Sequence, residues 1–460
     1  MSRRHLLRST ATVSLLTMAS RVLGFVREML MAYFFGTALA KSAFDVAFKI
    51  PNLFRRLFGE GALSAAFIPV FTETLEREGD AAARRLAGRV WCLLSAALLS
   101  VTAVGVLLAA VLLPRVGMPP RVAAVLPLLA IMLPYMLFIC LVALSMGILN
   151  SRGRFAVPAA TPIVLNVVWI ASLYGLCPLF GETPAARIHG VAWGVLAAGV
   201  VQLAVQLPVL RRAGLLPDFR GCRQADARVR RMLGLMAPVA IGAGLHEINV
   251  LIDAALALFI GSWAPAALTY AERLIYLPLG VFATALSTVL LPTFSRHVAR
   301  GDQDALARTF RAAMSGLLLI MLPAAVLALM LAGPVVRLIF ERGEFGADST
   351  LLTARALRWY APGLVAYSLH KVIVPVFHAR QDTRTPVRIG IAAIGANIVL
   401  NVCFVLTWPA MHRHAGLAFA SVLSQGVGGL ILGWLLGRRI PGLGGRRLLG
   451  LVLRAGAAAA

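Results

Sequence analysis

The chain alternates long apolar runs with short polar connections. Twelve apolar stretches stand out, at roughly 10–35, 43–72, 89–113, 122–149, 158–180, 188–210, 232–260, 266–294, 312–340, 353–379, 387–408 and 415–437. Each is long enough to cross a bilayer as a helix. A segment inside lipid must satisfy its own backbone hydrogen bonds, so the pattern predicts an all-α chain. After "GRRIPGLGGRR" a further run starts at Leu448 and stops at Ala460, too short to cross. The longest connection, Arg211 to Arg231, holds about twenty residues, so no soluble domain is expected.

The connections differ in charge from one side to the other. One set includes "SRRHLLR", "EREGDAAARRLAGR" and "RRAGLLPDFRGCRQADARVRR"; the other includes "GTALAKS", "GETPAARIHG" and "MHRHAG". Counted over all of them, 27 lysines and arginines stand on the first side against 6 on the second. That bias places the first set and the N-terminus in the cytoplasm. "MSRRHLLR" lacks a small-residue cleavage site after its apolar run, so it reads as the start of a retained helix.

The chain also repeats itself. "SAAFIPVFTE" (Ser64 to Glu73) resembles "STVLLPTFSR" (Ser287 to Arg296), and "SRGRFAVPAATPIVLNV" resembles "ARQDTRTPVRIGIAAIGANIVLNV". Both matches are six spans apart. An even repeat keeps orientation, so two parallel six-helix lobes are expected around a central cavity. Their expected bounds are 1–215 and 216–440, with 441–460 the start of an incomplete further helix.

Composition agrees and removes rivals. Mean hydropathy is +0.84, with 60% hydrophobic and 14% charged residues, too apolar for a soluble globule. The net charge of +25 sits in scattered topogenic clusters, so no nucleic acid is expected as partner. No Gly-Lys-Ser/Thr exists, which excludes a P-loop. The five cysteines lack C-x-x-C spacing, "HRH" at His412–His414 reads as an exposed loop, and no metal site is expected.

Charges inside the apolar runs are the chemistry left to explain. The first span carries Arg21, Arg27 and Glu28, with Arg21 and Glu28 two turns apart on one face. In the second, Asp45, Lys49, Asn52 and Arg56 fall on one stripe, and Pro51 with Gly59 and Gly61 predicts a bend or break. The eighth holds Glu272 and Arg273; the tenth aligns Tyr360, Tyr367, Lys371 and His378. Charges at membrane depth face protein or water, so these stripes predict a hydrated, cationic cavity. Arginine's planar fork suits a phosphate or diphosphate. The alternative for any one residue is a structural ion pair between helices. Asp253, Asn397 and Asn401 are candidates for holding a coupling cation, the alternative being interhelical hydrogen bonding.

"SRVLGFVRE", "AFKIPNLFRRLFGEGALSAAFIPVF", "YAERLIYLPLGVFATALSTVLLPTFS", "FERGEFGADST" and "QDTRTPV" resemble the MurJ (MviN) family of lipid II flippases, within the superfamily of multidrug and polysaccharide-lipid exporters. The resemblance runs along the whole chain in order. It implies a non-enzymatic transporter of a bacterial inner membrane, moving lipid II to the periplasmic leaflet by alternating access for cell wall synthesis. Arg21, Arg27, Arg56 and Arg273 match the family's cavity arginines, which grip the diphosphate of undecaprenyl-diphosphate-disaccharide-pentapeptide. Glu28, Asp45, Lys49 and Asn52 complete the expected substrate site. No cofactor is implied; a sodium ion or the membrane potential is the implied driving force. Three departures stand out. The family's usual acid is Ser42 here, with Asp45 one turn on. Tyr276 stands where some members have an acid. The family usually carries two further helices, implied to hold the polyprenyl tail, and the sequence ends before them. The nearest rival is an exporter of another polyprenyl-diphosphate-linked glycan or of a small molecule. A membrane-embedded transferase would need clustered carboxylates or histidines at a membrane face, and a scaffold would not need buried arginines.

Overall fold

The computed structural model describes residues 3–112, 117, 119–222 and 224–440, so the expected start of a further helix at 441–460 lies outside the described residues. Among the described residues all regular structure is helical. The helices are α1 (Arg3–Phe35), α2 (Leu39–Phe54), α3 (Ala62–Leu112), α4 (Pro120–Met132), α5 (Tyr135–Ser151), α6 (Ala156–Gly175), α7 (Pro184–Arg212) and α8 (Ala227–Ile260). They continue with α9 (Ala264–Pro278), α10 (Thr284–Ala299), α11 (Gln303–Met330), α12 (Ala332–Phe340), α13 (Ala347–Tyr360), α14 (Gly363–Ala379), α15 (Arg384–Thr407) and α16 (Arg413–Arg439). Helix overlies all twelve predicted stretches. Among the described residues seven helices are long and apolar enough to cross a membrane, and α4 with α5, bent by 44°, makes an eighth. Large apolar side chains such as Leu107, Leu319, Val399 and Leu406 stand exposed, as lipid-facing residues do.

Several helices differ from a plain span. Past Pro51, helix α2 gives way at Phe54 to a π-helical turn, Arg55–Gly61. A second π turn, Leu279–Ala283, follows Pro278 between α9 and α10. The connection "EREGDAAARRLAGR", expected as a loop, is helical on both sides of a sharp turn at Gly79, whose φ is +82°. Helix α5 ends in a six-residue return, Arg154 N–H to Leu149 O (3.0 Å), around Gly153 at φ +70°. This is the turn that glycine closes most readily.

Contacts divide the chain into two units, Met1–Leu251 and Ile252–Ala460, with the division inside α8. In the first, α6 packs on α1 and α7, α5 on α3 and α7, and α2 on α4. Small residues on α7 allow the approach: a Cβ on Gly194 would lie 2.3 Å from Ser172 Oγ, and one on Gly199 2.7 Å from the Tyr135 ring. In the second, α14 and α15 pack on α16, α10 and α11 on α14, and α9 on α13. The "FERGEFG" motif serves this core, since the Phe340 and Phe345 rings enclose the buried Tyr270 at 5.2 and 5.4 Å.

Candidate functional site

In the first unit the charges of α1 and α2 form one alternating chain. Arg27 donates from Nη2 to Glu28 Oε1 (2.7 Å) and from Nη1 to Asn166 Oδ1 on α6 (3.0 Å). Its guanidinium lies 4.1 Å over the Trp169 ring. Asn166 is itself fixed, donating to Ser20 O (3.0 Å). The other Glu28 oxygen is 4.0 Å from Lys41 Nζ, which donates to both Asp45 oxygens at 2.6 Å. Cation and anion alternate through four residues whose side chains are at most 10% exposed. Buried charges survive when paired in this way, and the set sums to zero.

The structure thus joins three of the predicted site residues, Arg27, Glu28 and Asp45, and adds three that were not expected. Lys41 reads in sequence as a periplasmic loop lysine, but α2 starts at Leu39 and its first turn buries that side chain. Asn166 and Trp169 had no charge to draw attention. Asn166 did carry a signal, because it lies in the Val-Leu-Asn-Val whose repeat contains Asn401.

Further along, Asp45, Lys49 and Asn52 lie on α2, and Arg56 falls in the π turn that follows it. Asn52 Oδ1 accepts from Arg55 Nε (2.8 Å). Arg56 donates from Nη1 to Glu247 Oε1 on α8 at 3.1 Å; its side chain is 41% exposed and Glu247 only 7%. Glu247, a charge at membrane depth in the seventh apolar stretch, was not among the residues expected to bind substrate. Arg21 is exposed and, among the described residues, forms no ion pair or side-chain hydrogen bond.

The second unit holds the remaining candidates. Arg273 is exposed on α9 beside half-buried Glu272. Asn401 donates from Nδ2 to Asp253 Oδ1 (2.6 Å) and to Asn397 Oδ1 (3.0 Å), and Asn397 reaches Ser421 Oγ (3.4 Å). Asp253, Asn397 and Asn401 are therefore together, on α8 and α15, with Ser421 added from α16. Tyr276 stacks on Tyr367 at 6.3 Å with planes 9° apart.

The two repeat-related asparagines play parallel parts with opposite sign. Asn166 in α6 holds Arg27, on the first helix of its half; Asn401 in α15 holds Asp253, on the first helix of the second half. One arrangement presents a guanidinium, the other a carboxylate among amide and hydroxyl oxygens. The first suits an anion with paired oxygens and the second a small hard cation.

Outside the spans, the connection after α7 is clamped to α3. Asp218 N–H donates to Arg84 O (2.9 Å), and Arg84 Nε to Leu216 O (2.9 Å). Asp226 takes Arg89 and Arg228 together, and Arg228 also reaches Glu78 (2.7 Å). Hydrogen bonds from Arg228 lead in holding the Asp226 carboxyl down, to about 2.

The family described as "Lipid II flippase MurJ" matches residues 31–459. A relative from Rhizobium meliloti (strain 1021), called "Probable lipid II flippase MurJ", is 36% identical over 93% of this chain and 80% of its own length. "Lipid II flippase MurJ" of Burkholderia cenocepacia is 34% identical over 94% of this chain and 83% of its own. Among solved structures, "Lipid II flippase MurJ, inward closed conformation" superposes with a TM-score of 0.80 at 25% identity, covering 97% of this chain and 90% of that one. An inward-facing multidrug transporter of the MATE family superposes at 0.74 with 16% identity over 92% and 95%, which shows a shared fold. The helices, the buried charge chain and these likenesses agree: the chain is a multi-pass bacterial membrane transporter, not an enzyme, and belongs to the MurJ family of lipid II flippases.

Proposed function

We propose that this chain, as a lipid II flippase, takes undecaprenyl-diphosphate-linked disaccharide-pentapeptide from the cytoplasmic leaflet and releases it to the periplasmic leaflet by alternating access. Its N-terminus is cytoplasmic in this reading, as the 27-to-6 bias of basic residues supports. The observation that carries the reading is the placement of Arg27 and Arg56. Both are guanidinium groups within apolar spans, and each is held by a carboxylate, the ligand a phosphate most resembles. Arg21, Arg273, Lys49 and Asn52 would add contacts along the headgroup. Glu28 and Asp45 would limit the positive charge when no substrate is bound.

Coupling is assigned to the Asp253 cluster. Asp253, Asn397, Asn401 and Ser421 offer oxygen donors within 2.6–3.4 Å contacts of one another, a set that fits sodium by its chemistry. The membrane potential is the other candidate drive. The test is to replace a resident flippase with this chain and measure lipid II at the outer leaflet. Wild type should restore it; Arg27→Ala and Arg273→Ala should insert and fail. Full activity in both variants would reject the arginine site. Sodium-independent transport unchanged by Asp253→Asn would reject the cation assignment.

A further inference from the structure

The second unit contains a cavity that the diphosphate reading leaves unused. It lies between one face of α10, bearing Thr284, Ser287 and Thr288, and one face of α14, bearing His370, Lys371 and His378. Its volume is about 410 Å³, within the range of small-ligand sites, about 300–1,000 Å³. The rest of the wall is apolar, and no carboxylate lines it. Among the described residues, neither Lys371 nor His378 makes an ion pair or a side-chain hydrogen bond. Yet Lys371 sits mid-helix in an apolar segment, where an ammonium needs water or an anion. Ser287 likewise has no hydrogen-bond partner for its hydroxyl among the described residues. Thr288 is turned to its own helix, donating to Ala285 O at 2.7 Å.

We infer that this cavity is a subsite for a carboxylate of the peptide stem of the lipid-linked headgroup. The inference rests on the lipid II reading and names a second anionic group of that substrate. The donor set favours a carboxylate over the diphosphate. It offers one point charge, a free hydroxyl and imidazoles, which match a singly charged group. The forked guanidiniums of Arg27 and Arg56 match the doubly charged one. The headgroup has both kinds of anion, so each set has a ligand of its own chemistry. Lys371 donates to one carboxylate oxygen, Ser287 Oγ donates to the other, and His378 closes the rim.

The test uses full-length protein in lipid nanodiscs and three ligands: lipid II, lipid II with its peptide carboxylates amidated, and undecaprenyl diphosphate. Lys371→Gln should weaken intact lipid II about tenfold, as expected for losing one charge-assisted hydrogen bond. It should leave the other two ligands within about twofold of wild type, and Lys371→Arg should restore most of the binding. Ser287→Ala should show the same selectivity with a smaller loss. An equal loss for all three ligands would mean a general charge effect. A loss confined to undecaprenyl diphosphate would assign the cavity to phosphate. No loss for any ligand would leave the cavity without a role in binding. Each of these three results overturns the subsite. If wild type binds neither form of lipid II, the flippase reading itself fails, and this one with it.

Discussion

Lys41 is the residue on which the buried charge chain turns. It stands between Glu28 and Asp45, and both carboxylates lose their bridging cation if it is removed. Breaking a buried pair by deleting one partner costs about 3–5 kcal/mol, while deleting both costs far less. Lys41→Met should therefore lower the melting temperature of the detergent-solubilised protein sharply, and Lys41→Met with Asp45→Asn should recover most of it. Equal melting temperatures for wild type and Lys41→Met would show the chain to be unimportant to stability. Glu247 offers a contrasting case, because its partner Arg56 is half open to solvent. Glu247→Gln should free that guanidinium and tighten undecaprenyl diphosphate binding by up to about fivefold, the equivalent of ~1 kcal/mol for a partly exposed pair. It should also slow flipping, since release then lacks a competing carboxylate. At this scale the sequence showed which residues carry charge at membrane depth, because a charge in an apolar run is conspicuous. It did not show pairing. Lys41 was hidden by a helix start that "GTALAKS" does not announce, and Glu247 by a partner 191 positions away.

The helices themselves were legible to the extent that apolar length governs them. Breaks inside them were legible only where proline or glycine marked the spot. Pro51, Gly59 and Gly61 predicted an interruption, but whether it opens as a loop or as a π turn depends on packing against α5. The turn after α14 shows how local backbone chemistry can be put to use. Gln381 has φ +61°, the one non-glycine left-handed residue among those described, and Asp382 N–H returns to Phe377 O at 2.9 Å. Glycine closes the same kind of turn after α5. A left-handed side chain costs about 1–2 kcal/mol, so Gln381→Gly should raise stability by ~1 kcal/mol, read as a higher melting temperature. No change would mean the side chain compensates by contacts of its own. The clamp between α3 and the connection after α7 carries a pH dependence. Asp226 has its pKa lowered from 3.8 to about 2, so it binds fewer protons folded than unfolded around pH 3. Its contribution is complete above about pH 4 and lost as pH falls through 2. Hydrogen-exchange protection factors over 213–222 and 224–226 should be high at neutral pH and fall below about pH 4, and Asp226→Asn should lower them at neutral pH. Exchange unaffected by the variant would place the hold on this segment in Arg84 and its backbone contacts instead.

Across the whole chain, the alternation of apolar runs and basic connections makes class and family readable, and the motifs make the resemblance specific. Orientation is the part that calls for direct measurement. A variant keeping only Cys222 should react with a membrane-impermeant thiol reagent in inside-out vesicles and stay unreacted in spheroplasts. The reverse would invert the topology and with it the direction of transport. Division of labour is the part that the sequence half revealed. The repeated Leu-Asn-Val was visible, but not that one copy holds an arginine and the other an aspartate.

The two π turns bear on ancestry. One ends three residues before the Ser64 that opens a repeated motif, and the other four residues before its counterpart Ser287. Each turn accommodates a residue more than an α turn would hold. If an ancestral six-span gene was copied to make this chain, that extra residue was in it before the copying. It is then older than the opposite charges now held by Asn166 and Asn401, and a homologue with a single unpaired half should carry the same wide turn in its second span.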